Sequence, residues 1–113
     1  MRKNSLKTVF LENTPIVNGW LAIPSGYSAE IMGHQGYDAV TVDLQHGMID
    51  FASALSMLQA LSATPAVPLV RVADNDPAQI MRVLDAGAYG VICPMISSAE
   101  QARRFVAACR YPP

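Results

Sequence analysis

Four times along this chain a short run of β-branched and aliphatic residues ends in a turn and gives way to a helical segment. That alternation constrains the fold more than any other feature, because strands separated by helices pair in parallel within one sheet. The expected strands are Val17–Ile23, Ala39–Leu44, Pro68–Val72 and Gly90–Met95. Pro24-Ser25-Gly26 breaks the first, and Gln45-His46-Gly47 turns the second. A helix from Ser28 to His34 closes at Gly36, the usual role of glycine after a helix. Asp50 caps a helix running to Ser62, punctuated by Pro65 and Pro68. Asp74-Asn75-Asp76-Pro77 supplies an N-cap and a proline at the first helical position, and that helix ends at Gly87. A capping box, Ser97-x-x-Glu100 or Ser98-x-x-Gln101, opens the last helix, which Tyr111-Pro112-Pro113 stops. A short leading helix over residues 5–11 precedes the first strand. Gly36-Tyr37-Asp38-Ala39-Val40 and Gly87-Ala88-Tyr89-Gly90-Val91 join helix to strand in the same way, one structural solution used twice.

With 113 residues the chain is one domain, 1–113, long enough for a real core. It is 51% apolar and 15% charged, whereas an average soluble domain carries about 25% charged residues. That balance predicts more burial than a small monomer arranges alone. A net charge of −1 and no basic residue between Lys7 and Arg71 exclude a nucleic-acid footprint. No run approaches the about 18 apolar residues of a membrane helix, and the Arg2-Lys3 start lacks the apolar core of a signal peptide. Cys93 and Cys109 have no metal-type spacing and read as reduced, buried and cytoplasmic. From Phe51 to Ala63 the third helical segment has no charge, and its polar residues Ser53, Ser56, Gln59 and Ser62 make one narrow stripe. Such a helix is covered, by its own sheet and neighbours or by another subunit.

In parallel α/β folds, chemistry gathers at the carboxyl ends of strands. There the stretch Thr41-Val42-Asp43-Leu44-Gln45-His46-Gly47 places a carboxylate three residues before an imidazole. A carboxylate beside a histidine fixes its tautomer and prepares it to move a proton near neutral pH. The plainer reading makes Asp43 a turn cap and His46 a loop residue. Arg71 ends the next strand, where its planar fork suits a carboxylate or a developing enolate oxygen, or else pairs with Asp43, Asp74 or Asp76. Trp20, near the top of the first strand, walls a pocket or packs in the core. His34 reads as a helix C-terminal residue with no chemical role. No phosphate-cradling glycine pattern, nucleophile elbow or zinc spacing is present.

In order and spacing the chain resembles the HpcH/HpaI aldolase family, related to the citrate lyase β-type proteins, from about Val17 to Pro113. The segments that carry the resemblance are Asn18-Gly19-Trp20-Leu21, Tyr27-Ser28-Ala29-Glu30, Val42-Asp43-Leu44-Gln45-His46-Gly47, Val70-Arg71-Val72, Asn75-Asp76-Pro77, Leu84-Asp85-Ala86-Gly87-Ala88, Val91-Ile92-Cys93-Pro94-Met95 and Arg110-Tyr111-Pro112-Pro113. The resemblance implies a TIM-type (β/α)₈ barrel, of which about four of eight units are present here. It also implies a carbon–carbon lyase: metal-dependent, reversible aldol cleavage of a 4-hydroxy-2-oxo acid to pyruvate and an aldehyde. By position His46 is the implied acid–base residue, Asp43 orients it, and Arg71 binds the pyruvate-derived oxygen. Trp20 and Gln45 join Arg71 in substrate binding. Gln45 stands where many members have a glutamate, which removes a negative charge near the metal. The implied cofactor is a divalent ion, Mg or Mn, whose acidic ligands in the family lie beyond Pro113.

A full barrel takes about 250 residues, so the expectation is an N-terminal half, paired as a homo-oligomer or with a C-terminal half-barrel. Three alternatives stay open beside the aldolase. One is a non-catalytic half-barrel assembly module. Another is a citrate-lyase-β-type enzyme acting on a CoA thioester. The third is a compact flavodoxin-like domain holding a small ligand at its strand ends.

Overall fold

The computed structural model describes residues 3–111. The expected helix stop at Pro112-Pro113 and the Arg2 side of the N-terminus lie outside the described residues. The elements alternate as α1 (Ser5–Leu11), β1 (Asn18–Leu21), α2 (Gly26–Gly33), β2 (Ala39–Asp43), α3 (Phe51–Ser62), β3 (Val67–Arg71), α4 (Pro77–Asp85), β4 (Gly90–Ile92) and α5 (Ala99–Ala108). The four strands form one parallel sheet in the order β1-β2-β3-β4. This is the α/β class that the alternation predicts.

Several boundaries differ from the sequence reading, each for a local reason. Helix α2 starts two residues early because the Ser25 hydroxyl accepts from the Ser28 N–H, making Ser25 the cap. Strand β4 stops at Ile92 because Pro94 has no N–H to pair and Met95 turns into the left-handed region at φ 57°. Helix α4 ends at Asp85 in a Schellman arrangement. Gly87 adopts φ 109°, its N–H reaches the Leu84 carbonyl, and the Ala88 N–H reaches Val83. Of the two capping boxes, Ser98 is the one used, accepting from the Gln101 N–H at 3.2 Å. The return arm is shifted by one residue, since Gln101 Oε1 takes the Ser97 N–H at 2.8 Å.

One face of the sheet is covered by helices. Leu21, Val40, Val42 and Val70 point into a core completed by Ala54, Met57, Leu58 and Leu61 of α3 and by Ile80 and Val83 of α4. Each of the Val, Leu, Ile and Met side chains among them, fully buried, contributes about 1.5–3 kcal/mol. Packing within the chain covers Ala54, Met57, Leu58 and Leu61 of the uncharged α3, while Ala52 and Leu55 stay exposed. Its polar residues face outward, and Ser56 and Ser62 turn their hydroxyls back to the carbonyls of Ser53 and Gln59. The end of α2 comes close to α3 because Gly33 has no side chain: a Cβ there would stand 2.4 Å from Thr64 Oγ1.

Strand alternation sends the remaining residues to the opposite face. At its amino-terminal end Leu6 of α1 packs on Ala39 and Val67, with Ile16, Leu69 and Tyr89 around them. Asn4 caps α1 and donates Nδ2 to the Tyr89 carbonyl at 3.0 Å, tying this helix to the start of β4. Among the described residues β1 and β4 are the sheet edges. Phe10, Leu11, Val17 and Ile23 are exposed along α1 and around β1. Cys93 is half-buried and Cys109 is exposed, both as free thiols. The expected burial of Cys109 fails because it is the C-cap of α5 and lies at the surface.

Candidate functional site

The carboxyl ends of β1, β2 and β3 bring Trp20, Asp43 and Arg71 together. In the β2–β3 ladder Asp43 and Arg71 are Cα partners at the last rung. Trp20 pairs in register with Thr41, so Asp43 lies two residues further along, on the same face. Arg71 donates Nε to Asp43 Oδ1 at 2.9 Å and Nη2 to Oδ2 at 2.6 Å, a two-bond fork. Of the three carboxylates that the sequence offers Arg71, the structure selects Asp43. Asp76 caps α4, and Asp74 accepts from the Asn75 N–H.

Asp43 is 3% exposed and accepts five hydrogen bonds. Besides the fork, Oδ1 takes the backbone N–H groups of Gln45 at 3.0 Å and His46 at 3.3 Å. Oδ2 takes the Trp20 indole N–H at 3.1 Å. The Arg71 guanidinium is the largest influence holding this carboxyl well below the usual carboxylate range, and it outweighs burial, which pushes the other way. Reciprocally, Asp43 raises the already high pKa of Arg71. Asp43 is thus a fixed anion.

The sequence reading has Asp43 orient the His46 imidazole, whereas the structure has it orient the His46 main chain. Both carboxylate oxygens are filled by Arg71, Trp20 and the loop N–H groups, an arrangement that residues two and three positions on from an aspartate readily form. The His46 side chain is exposed and Gln45 is half-buried beside it. Gly47 secures the same loop: a Cβ there would stand 2.3 Å from the Asp43 carbonyl oxygen and 3.2 Å from Ala22 Cα. The next residue, Met48, donates its N–H to the Ala22 carbonyl, so the turn is seated on the end of β1.

Trp20 contacts both members of the fork. Besides its bond to Asp43, its ring centroid lies 4.9 Å from the Arg71 guanidinium carbon, a cation–π distance. With Nε and Nη2 of Arg71 held by Asp43, Nη1 makes no hydrogen bond among the described residues. The site therefore offers a rigid cation with one donor edge available to an anion, on a carboxylate that also anchors the main chain of exposed His46.

A sequence model of the family described as HpcH/HpaI aldolase/citrate lyase matches residues 18–113. The chain belongs to the HpcH/HpaI aldolase/citrate lyase family. It is 42% identical over 110 residues to a hydroxypyruvate/pyruvate aldolase of Rhizorhabdus wittichii, covering 97% of this chain and 44% of that relative. A 4-hydroxy-2-oxo-heptane-1,7-dioate aldolase of Salmonella dublin is 39% identical over 111 residues, covering 98% of this chain and 42% of its own. Among solved structures, an HpcH/HpaI family protein of Burkholderia cenocepacia superposes with a TM-score of 0.90 at 35% identity, covering 98% of this chain and 44% of that one. The citrate synthase SbnG gives 0.89 at 30% identity, with 98% and 45% covered. The chain thus spans less than half the length of the curated relatives it matches. Its four β/α units correspond to under half of the TIM-type barrel of these HpcH/HpaI structures.

Other features of this HpcH/HpaI chain bear on the site. Among the described residues no group of three or more His, Cys, Asp and Glu side chains is arranged to hold a metal ion, so these residues alone do not fit one. No helix of the described residues is long and apolar enough to cross a membrane. A cleft of about 270 Å³ opens between the starts of α3 and α4, lined by Leu44, Phe51 and Arg82 among others. None of Trp20, Asp43, His46 and Arg71 lines it. Sequence reasoning gave Asn18 no role. With its amide set by its neighbours, its nitrogen donates to the Gly19 and Ala39 carbonyls and its oxygen accepts from buried Thr41 Oγ1 at 2.8 Å. The available signal was a pair of polar residues at sheet-interior positions of adjacent strands.

Proposed function

We infer that the protein is a carbon–carbon lyase that cleaves a 4-hydroxy-2-oxo acid reversibly to pyruvate and an aldehyde. The Asp43–Arg71 fork carries the reading: it holds a cation rigidly at the strand ends, on the carboxylate that also anchors the His46 main chain. The aldolase relatives support the substrate class. His46 takes the proton of the 4-hydroxyl, the C3–C4 bond breaks, and the aldehyde leaves a pyruvate enolate. Arg71 Nη1 donates to the oxygen on which that charge develops, electrostatic help worth several kcal/mol in a preorganised site. Proton return to C3 completes pyruvate. Gln45, tethered to the same carboxylate, and Trp20 border the substrate. A divalent ion, Mg or Mn, supplies Lewis-acid chemistry in the complete enzyme, and we assign its ligands to residues other than those described here.

The described chain reads as one domain, an N-terminal half that completes its site with a C-terminal half-barrel or in a homo-oligomer. The exposed Phe10, Leu11 and Val17 beside edge strand β1 favour such a covering partner. If the half is instead an assembly module, it keeps the fork without turnover.

Deuterium uptake into the methyl group of pyruvate tests the reading. It is measured in D₂O with and without added magnesium, on the chain joined to a C-terminal half-barrel that supplies acidic metal ligands, and on the same pair carrying His46→Ala. Exchange that needs the metal and disappears in the variant is the expected result. Exchange indifferent to His46→Ala would remove its acid–base role, and none at all in the metal-supplied protein would favour the assembly module.

A further inference from the structure

Trp20 stands on edge strand β1 with 44% of its surface exposed, so core packing does not explain so large a side chain there. It reaches both members of the fork from a third strand. Its indole N–H donates to Asp43 Oδ2 at 3.1 Å, and its ring lies 4.9 Å from the Arg71 guanidinium carbon. The two carboxylate oxygens are held differently. Oδ1 is fixed by the Gln45 and His46 main chain, whereas Oδ2, among the described residues, has Trp20 as its single donor apart from Arg71 itself. A carboxylate turns easily about its last torsion. The Trp20 bond therefore sets the twist of the carboxylate, the fork copies that twist to the guanidinium, and the ring face limits its tilt.

We propose that Trp20 is a positioning residue that aims the available Nη1 edge of Arg71, through Asp43 and through its own ring. The proposal rests on the reading that Arg71 receives the oxygen of a 2-oxo acid, and adds the group that decides where Arg71 points.

The test uses the ¹⁵N-labelled full chain, in which Trp20 is the single tryptophan and its indole resonance needs no assignment. Arg71→Lys removes, and so assigns, the Arg71 Nε–H resonance. Trp20→Phe keeps a ring and loses the donor; Trp20→Leu loses both. Hydrogen exchange of the Arg71 Nε–H should speed up by about tenfold in Trp20→Phe, the size expected for losing one hydrogen bond to a charged group, and further in Trp20→Leu. In the pyruvate exchange assay kcat should fall in the order wild type, Phe, Leu, with KM changing less.

A pocket wall predicts otherwise: Trp20→Phe keeps the shape, Arg71 exchange stays at the wild-type rate, and KM moves first. Unchanged Arg71 exchange in Trp20→Phe overturns the proposal even if the wild type is an active aldolase. Loosened Arg71 in the Trp20 variants, where wild type enolises nothing, sinks the aldolase reading and leaves the positioning role standing. Should Trp20→Leu fail to fold, Trp20→Phe decides alone.

Discussion

Asp43 and Arg71 face each other as the last Cα partners of the β2–β3 ladder, and their side chains repeat that pairing with bonds of 2.9 and 2.6 Å. Because the folded carboxyl titrates far below its ordinary value, near 3.9, the folded chain holds this proton less tightly than the unfolded one. The stabilisation is complete above the ordinary value and is lost as pH falls through the acid range below it. Thermal melts should show wild type losing stability steeply below about pH 4, while Asp43→Asn, lacking the titrating group, changes less there. At pH 7 Asp43→Asn should cost about 2 kcal/mol. The cost stays below that of a fully buried broken pair because the Arg71 side chain is 23% exposed and can be rehydrated. Equal acid slopes for the two proteins would refute the assignment.

His46→Ala separates chemistry from folding. The tie to Asp43 runs through the main-chain N–H, which alanine also has, and the imidazole is exposed. Urea midpoints should agree with wild type to within about 0.5 kcal/mol, while pyruvate proton exchange falls by about 10²-fold or more. A large stability loss would show that the ring is structural.

Gly47→Ala should do the reverse of a surface change. The new Cβ would meet the Asp43 carbonyl oxygen at 2.3 Å, and main chain cannot step aside without moving the loop. We expect a loss of about 1–3 kcal/mol, and chemical-shift changes at the Gln45 and His46 amides. Wild-type shifts at both amides would mean that the turn tolerates a side chain.

Gly33→Ala tests the helix layer in the same way. Its Cβ would stand 2.4 Å from Thr64 Oγ1 and 2.7 Å from Thr64 Cβ, where α2 ends against the turn after α3. Calorimetry should show a loss of about 1–3 kcal/mol, with the Arg71 Nε–H exchange rate unchanged because the Asp43–Arg71 fork lies on the other face of the sheet.

Much of this architecture is legible in the residues because its signals are local. Asp50 announces α3, Pro77 announces α4, and the β-branched runs mark β2 and β3. Asp43, His46 and Arg71 stand out because charged groups at the ends of apolar strands have few structural excuses. What the sequence hides is relational. Whether Arg71 meets Asp43, Asp74 or Asp76 depends on strand register, which no local pattern carries. Whether Asp43 faces the His46 ring or its main chain depends on how many donors have already reached the carboxylate. The early end of β4 follows from Pro94, which is legible, together with the left-handed backbone of Met95, which a methionine does not advertise.

Every group that fixes the Asp43 carboxylate lies between Trp20 and Arg71 in the chain. A ribosome has therefore delivered the whole anion-holding corner before it reaches α4, β4 or α5. During synthesis the polar centre can close on itself as soon as the third strand emerges, and later segments dock onto a corner whose charges are already paired.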